Sequence, residues 1–489
     1  MSSDLKKSIR KGGFWLVFSN VLTILSQIVF IYVLSKLLQP RDFGFQGTCM
    51  LIIELTAVFT YPSINKSIIL RKEIDQKFID NATILSFLLC AGLGIIFLIS
   101  SPIVTYFFHK KELGFILSCL FVIMIFKGIY QPYQALYEKE LRFKETSNFT
   151  LLAYWIGYFF VPIIFAFLHF GYKSLISGVI AYEFMMFIFY VRHAKFRISK
   201  LDKSIVKEII ADSRNIMLHS FGNQLATNGD YLVVSTLLGP TALGYYSQGY
   251  KIMKMPTTII GNLLNNMSFA SFSKISEDHE KLTKAFNYTS FILALFSFPI
   301  FFITLMFSHE IVLFLLGKNW LPTANVLQIL AFGIFLRMSY KVPGSILRAK
   351  AKFALTARLQ LMYAANVILF SLALIKFSIE GVALGTLLAL IIQYTVLTYY
   401  VNKTLNVNPF TFYKILIKPL LFSLFIILLC FFIKTGINNY SSISNIPIFF
   451  ISTFLSLLIA FVVVVFAGKK IFGEPYIWWL DFFFSKKKL

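Results

Sequence analysis

Residues 34–46 read LSKLLQPRDFGFQ, and residues 234–246 read VSTLLGPTALGYY. The two stretches match at a constant offset of 200 without a gap. The matched positions include one proline and one glycine in each copy: Pro40, Gly44, Pro240 and Gly244. Proline and glycine in a short window are typical of a tight turn. The same turn is therefore predicted twice, and the chain is predicted to contain an internal repeat.

The composition places this repeat in a membrane. Of the 489 residues, 57% are hydrophobic and 14% are charged, against roughly 45–50% and 25% in soluble domains. The mean hydropathy is +0.75. These values exclude a soluble enzyme, a nucleic-acid-binding module and a disordered chain. The net charge of +24 is therefore attributed to the anchoring of cytoplasmic loops, and the four cysteines, all inside apolar runs, predict neither disulfides nor a metal site.

Apolar stretches of spanning length predict fourteen transmembrane helices. Their predicted bounds are 13–37, 43–65, 81–108, 113–137, 149–169, 174–191, 214–238, 242–269, 286–308, 323–345, 354–376, 379–401, 415–433 and 447–467. The stretches 214–238 and 242–269 are unusually polar for membrane spans. With a cytoplasmic N-terminus, 33 Lys and Arg residues fall in the cytoplasmic loops and tails and 7 in the outer loops. This asymmetry supports an even number of spans and predicts that both termini are cytoplasmic.

The repeat and the spans together predict an all-α architecture of two six-helix lobes. Six spans separate the two copies, so both lobes cross the membrane in the same sense, related by a pseudo-two-fold axis along the membrane normal. The predicted first lobe is 1–200, the second is 201–405, and 406–489 adds a C-terminal helix pair and a basic tail. Substrate is expected between the lobes, which would rock to give alternating access, as in a carrier.

Several kinds of chemistry are absent from the sequence. The longest predicted loop is the 22-residue basic linker 192–213, so no extramembrane catalytic domain is expected. We find no Walker A sequence, no His-Glu-x-x-His, no Gly-x-Ser-x-Gly and no cysteine pair at metal-ligand spacing. The sequence therefore predicts neither an enzyme nor a cofactor.

Four segments resemble the polysaccharide transporters, the Wzx-type flippases. They are 37–44 (LLQPRDFG), 67–75 (SIILRKEID), 141–144 (LRFK) and the stretch from Asn228 to Tyr250. The family belongs to the multidrug/oligosaccharidyl-lipid/polysaccharide exporter superfamily. The resemblance implies two six-helix lobes around a central cavity, often with two extra helices. It also implies a substrate, an undecaprenyl-pyrophosphate-linked oligosaccharide, moved from the cytoplasmic to the outer leaflet of the bacterial plasma (inner) membrane.

Basic residues inside the predicted spans are candidates for binding the pyrophosphate. Lys36, Lys341 and Arg358 are near helix ends, where a long basic side chain reaches the interface. Four others are predicted to line a cationic cavity: Lys127, Lys251, Lys254 and Arg337. Lys251 and Lys254 are three residues apart and so share a helix face, and a diphosphate cannot cross the bilayer core unpaired. Internal salt bridges are the alternative.

The seventh predicted span carries a polar stripe at helical spacing: His219, Asn223, Gln224, Thr227, Asn228 and Tyr231. With Tyr250 of the eighth span, these side chains are predicted to bind sugars through neutral hydrogen-bonding groups and an aromatic face. Interhelical hydrogen bonding is the alternative. Three acids inside spans are predicted to be coupling or structural charges, either paired or protonated: Glu54, Glu183 and Asp230.

Two other functions remain open from the sequence. A drug/cation antiporter of the same superfamily should have an acidic cavity, whereas central basic residues outnumber acidic ones here. A membrane-embedded polysaccharide polymerase or ligase typically needs a sizeable outer loop. The predicted partners are the lipid-linked oligosaccharide, the lipid bilayer, a coupling proton or sodium ion, and the polysaccharide polymerase and chain-length machinery; nucleic acid is not among them.

Overall fold

The computed structural model describes residues 22–71, 74–108, 111–193, 201–440 and 445–478. Within them every regular element is a helix, which confirms the predicted all-α class. The chain divides into two compact units, and the boundary between them falls between residues 247 and 248. The first unit contains the helices α1 (Leu22–Leu37), α2 (Pro40–Ala57), α3 (Tyr61–Leu70), α4 (Gln76–Phe108), α5 (Lys111–Lys139), α6 (Phe143–Tyr154), α7 (Val161–Phe167), α8 (Tyr172–His193) and α9 (Lys203–Val233), and a π-helical stretch, Trp155–Phe160, joins α6 to α7.

The helix α10 (Gly239–Lys274) follows α9 after a π-helical stretch and enters the second unit. The rest of that unit contains α11 (His279–Leu315), α12 (Pro322–Ala331), α13 (Ile334–Ser339), α14 (Lys341–Ala349), α15 (Phe353–Ala373), α16 (Ser378–Leu405), α17 (Pro409–Tyr440) and α18 (Asn445–Phe472). The predicted three-part division at 200 and 405 stays a prediction.

Nine helical segments of the described residues are long and apolar enough to cross a membrane, and a bent pair, α12 with α13–α14, makes up to ten. The protein is therefore a multi-pass membrane protein. These segments coincide with ten of the predicted spans. The other four predicted spans correspond to α1, α2, α9 and α10, which are shorter or more polar. The count of fourteen stays a prediction, and the four less apolar helices are those that carry the repeated turns.

The two copies of the turn contact each other inside the first unit. A Cβ atom added to Gly44 would overlap the carbonyl oxygen of Pro240 and would lie 2.9 Å from the Cα of Pro240. A Cβ atom added to Gly244 would overlap the carbonyl oxygen of Pro40 and would lie 2.7 Å from the carbonyl carbon of Pro40. The contact is reciprocal, as a two-fold relation between the copies requires. Only glycine leaves room for the two backbones to approach this closely.

A second pair of equivalent turns follows the fourth helix of each predicted block. Leu141 and Ala351 both adopt left-handed backbone conformations, with φ of 58° and 57°. In each turn the next residue's N–H donates to a carbonyl five residues back, from Arg142 to Tyr137 and from Lys352 to Leu347, both at 2.9 Å. These turns are related by an offset of 210. Residues of α5 therefore correspond to residues of α12, α13 and α14 that lie 210 positions later.

The basic linker enters α9 through a capped turn. The Asp202 carboxylate accepts a hydrogen bond from the Ser204 N–H at 3.0 Å and forms an ion pair with Lys77 at 2.6 Å. Lys77, followed by the Ser204 donors, holds the pKa of this carboxyl well below its usual range. The cap fixes where the helix begins.

Candidate functional site

The span that carries Arg337 is broken, and the break positions its cation. The axes of α12 and of the segment Ile334–Ala349 differ by 55°, and the break falls at Phe332 and Gly333. Arg337 lies one turn beyond it. Its guanidinium lies over the ring of buried Tyr250 on α10, 4.5 Å from the ring centroid. Such a contact is worth about 0.5–2 kcal/mol and holds the guanidinium in place.

Arg337 belongs to a larger group of cations in the second unit. Tyr340 has Arg337 and Arg348 as its electrostatic neighbours, and Lys341 has Lys254 and Arg348. We call Lys254, Arg337, Lys341 and Arg348 the basic cluster. Lys254 and Lys341 are exposed, whereas Arg337 and Arg348 are half-buried.

The basic cluster is suited to bind an anion with several oxygens. Two like unit charges about 7 Å apart repel by about 2 kcal/mol at an effective dielectric constant near 20. Four cations gathered by α10, α13 and α14 are therefore stabilised when a multivalent anion binds between them. Arginine offers paired donors that match phosphate oxygens, and lysine offers a mobile point charge.

Lys341 and Arg348 were missed as site residues by the sequence analysis. It expects Lys341 to reach the membrane interface and counts Arg348 among the 33 basic residues of the cytoplasmic loops and tails. One available signal is the spacing of Arg337, Lys341 and Arg348. At i, i+4 and i+11 they fall on one face of a regular helix.

Two other predicted cations lie differently. Lys251, half-buried, is almost one turn before Lys254 on α10. Lys127 belongs to the first unit, where its Nζ is 2.8 Å from the Glu183 carboxylate. Lys127 thus forms the internal salt bridge that the sequence left open as an alternative, and Glu183 is its partner.

The polar stripe on α9 divides between two kinds of contact. Gln224 donates to the backbone carbonyl of Glu54 at 3.1 Å, and Asn228 donates to the Glu54 carboxylate at 2.7 Å. These bonds connect α9 to α2. Asn223 is exposed, and the half-buried Thr227 hydroxyl donates to the Asn223 carbonyl at 2.8 Å. The His219 side chain lies outside the described residues.

The remaining predicted residues form an aromatic–acid contact in the first unit. The Tyr246 hydroxyl donates to the Asp230 carboxylate at 2.7 Å, and the Tyr231 N–H donates to its other oxygen at 2.9 Å. The Tyr231 and Tyr246 rings meet edge to face, with centroids 5.6 Å apart. Asp230 is 1% exposed. Glu54, in contrast, is exposed.

Comparison with known proteins decides the family. A family model described as "Polysaccharide biosynthesis protein" matches residues 33–325, more than half of the chain. The chain belongs to this polysaccharide biosynthesis protein family. The match confirms the resemblance found in the four sequence segments.

Two curated relatives and one solved structure resemble the chain over most of its length. It is 21% identical to the teichuronic acid biosynthesis protein TuaB of Bacillus subtilis (strain 168), covering 90% of this chain and 91% of that protein. It is 24% identical to the lipopolysaccharide biosynthesis protein WzxC of Escherichia coli (strain K12), covering 81% of each. The fold is similar to that of the lipid II flippase MurJ in an inward closed conformation. That likeness has a TM-score of 0.70 at 16% identity and covers 94% of this chain and 99% of that one.

Proposed function

We propose that the protein is a flippase for undecaprenyl-pyrophosphate-linked oligosaccharide repeat units. It moves them from the cytoplasmic to the outer leaflet of a bacterial plasma membrane, for export of a cell-surface polysaccharide. It crosses that membrane with both termini in the cytoplasm and works by alternating access without chemical conversion of the substrate.

The observation that carries this proposal is the basic cluster. Lys254 and Lys341 are exposed, and the half-buried Arg348 is an electrostatic neighbour of Lys341. The positive-inside count supports a cytoplasmic location for the loop after α14, and the cluster would then lie in the cytoplasmic half of the membrane. A diphosphate that enters from the cytoplasmic leaflet would bind these cations. Their charges would replace the water that hydrated the diphosphate.

Polar groups of the first unit would bind the sugars. Asn223 and Thr227 supply neutral hydrogen-bonding groups, and Tyr231 supplies a half-buried ring. Neutral groups suit the assignment because sugar hydroxyls donate and accept hydrogen bonds without charge. Gln224 and Asn228 already bond Glu54 and would position α9.

The proposal is tested with purified protein in proteoliposomes that carry a fluorescent undecaprenyl-pyrophosphate oligosaccharide. Arg337→Gln and Arg348→Gln should each lower the initial flipping rate about 10- to 100-fold, because each removes a charge-assisted contact worth about 1.5–3 kcal/mol. Arg358→Gln is the matched control, since it removes an exposed arginine of α15 outside the basic cluster. It should keep the wild-type rate.

Two results would contradict the proposal. One is efflux of an organic cation such as ethidium by wild-type protein that does not translocate the glycolipid, which would favour a drug antiporter. The other is equal flipping by Arg337→Gln, Arg348→Gln and wild type, which would remove the basic cluster from substrate binding.

A further inference from the structure

The start of α9 turns one face into the first unit. Ile209 is 1% exposed and belongs to a buried apolar cluster that residues of α3, α4, α5, α6 and α8 complete. Ile205, one turn earlier, packs against the same cluster. These contacts fix the orientation of the helix, so the residues on its opposite side point away from the protein.

Both acids of the stretch 202–210 lie beside this inner face and already have cationic partners. Asp202 forms an ion pair with Lys77 of α4, and Glu208 forms one with Arg71 at the end of α3. Each pair has a nitrogen–oxygen distance of 2.6 Å. The negative charges of the helix start are therefore neutralised on the side that faces the protein.

The outer face of the helix start has a groove of about 430 Å³, lined by Leu201, Lys203, Val206, Lys207 and Ile210. We call it the basic groove. Leu201 and Ile210 are 42% and 55% exposed, and both lysines are exposed. Because Lys203 and Lys207 are four residues apart, they lie on one face of the helix. The basic groove therefore combines apolar surface with two positive charges, which suits a ligand that has an apolar chain and a negative charge.

The basic groove lies where the chain is expected to meet the membrane surface. It precedes the predicted span 214–238, and the stretch 192–207 contains six Lys and Arg residues and one acid. The positive-inside count supports a cytoplasmic location for this stretch. Clusters of about four to eight basic residues beside a span attract the anionic lipids of the cytoplasmic leaflet. A helix face with apolar and basic residues is typical of the headgroup region.

We propose that the basic groove binds one anionic phospholipid of the cytoplasmic leaflet. Lys203 and Lys207 bind its phosphate. One acyl chain packs against Leu201, Val206 and Ile210. A zwitterionic headgroup fits less well because it brings its own cation near the lysines, and the neighbouring linker cannot supply the anion because it is itself basic. This site is independent of the proposed transport, since it needs neither the basic cluster nor a moving lobe.

Quenching by brominated lipids tests the proposal with the purified full-length protein in a non-ionic detergent. Ala211 is exposed and lies four residues after Lys207, so a fluorophore attached to Ala211→Cys reports a lipid in the basic groove. Protein without this substitution, treated with the same reagent, gives the background from the native cysteines. Brominated phosphatidylglycerol should bind about 30-fold tighter than brominated phosphatidylcholine with the same acyl chains, because each lysine should contribute about fivefold to the binding of an anionic lipid.

Substitutions in the labelled protein separate the headgroup from the acyl chain. Lys203→Gln and Lys207→Gln should each weaken phosphatidylglycerol binding about fivefold, and together about 30-fold, while phosphatidylcholine binding stays unchanged. Ile210→Ser should weaken the binding of both lipids about fivefold, because the acyl chain loses part of an apolar wall.

A matched pair of lysines in the second unit supplies the control. Lys414 and Lys418 on α17 are also four residues apart, and both are exposed. The double variant Lys414→Gln/Lys418→Gln removes the same charge as the double variant in the basic groove. It should bind both lipids as the labelled parent protein does.

Four results would overturn the proposal. Equal Kd values for the two lipids would remove the role of the lysines, and an equal loss of binding in the α17 control would reduce it to general attraction by a basic protein. Displacement of brominated phosphatidylglycerol by soluble glycerol phosphate as effective as that by the unbrominated lipid would assign the lysines to a free phosphate. Displacement by undecaprenyl phosphate at a far lower concentration than by phosphatidylglycerol would assign the groove to a polyprenyl carrier lipid instead.

Discussion

Placing a methyl group at the reciprocal glycine contact should push the two repeated turns apart. Carbon atoms in contact lie about 3.5–4.0 Å apart, whereas a Cβ at Gly44 would be 2.9 Å from the Cα of Pro240 and one at Gly244 would be 2.7 Å from the carbonyl carbon of Pro40. Each added Cβ would overlap the partner's carbonyl oxygen more closely still, so the backbones must separate by about 1 Å or more. Overpacking of this kind typically costs about 1–3 kcal/mol.

Thermal unfolding in detergent measures the cost. Cys49, Cys90 and Cys430 are buried, so a fluorogenic thiol reagent reports their exposure as the protein unfolds. Gly44→Ala and Gly244→Ala should each lower the midpoint by several degrees. The double variant should cost less than the sum, because the first methyl group already separates the backbones against which the second would clash.

The control and the refuting result follow from the same geometry. An added Cβ at Gly92 on α4 would have no atom within 4 Å, so Gly92→Ala should be neutral or stabilise by up to about 1 kcal/mol through helix propensity. If Gly44→Ala and Gly244→Ala behave like Gly92→Ala, or if their costs simply add, the close reciprocal packing is wrong.

Two further predictions concern polar contacts of the first unit. Tyr246→Phe should destabilise the protein by about 1.5–3 kcal/mol, because it removes a donor from the buried Asp230 carboxylate; Tyr245→Phe, at a half-buried ring, should cost less in the same unfolding assay. The contacts with Lys77 and Ser204 lower the pKa of Asp202 in the folded protein, and they therefore stabilise the start of α9. This stabilisation is complete above the pKa of an unfolded aspartate, near 4, and is lost as the pH falls from there through the lower pKa of the folded state. Amide exchange at residues 203–206, corrected for intrinsic rates, should therefore accelerate in wild type below about pH 4. Asp202→Ala, which has no side-chain acceptor for the Ser204 N–H, should already exchange fast at pH 7 and change little with acid. Exchange in wild type that does not depend on pH would contradict this.

The apolar part of the fold was predictable because hydropathy measures transfer from water to lipid directly. The spans that became α4, α5, α8 and α11 stand out as long apolar runs, and the repeat located the turns at Pro40 and Pro240. The break in the tenth predicted span was not predicted. Phe332 and Gly333 continue an apolar run, and composition does not report the direction of a helix axis.

The site was harder to predict than the spans because a charge in a sequence does not reveal its partner. Lys127 and Arg337 look alike as cations inside spans, yet one forms an ion pair with Glu183 and the other lies over Tyr250. Their surroundings depend on which helices pack together, a relation between residues far apart in the chain. The surroundings of Arg348 were unpredictable for the same reason. Arg348 becomes an electrostatic neighbour of Tyr340 only through the path that α13 and α14 take.

The reciprocal turn contact also sets a schedule for biosynthesis. The turn at Pro40 leaves the ribosome 200 residues before its partner at Pro240, a delay of about 10–40 s at roughly 5–20 residues per second. During that interval α2 is already made, but the backbone against which Gly44 packs does not yet exist. The start of α2 can therefore reach its final packing only after the second copy has been inserted, and a chain that stalls between the two copies leaves this turn exposed to quality control.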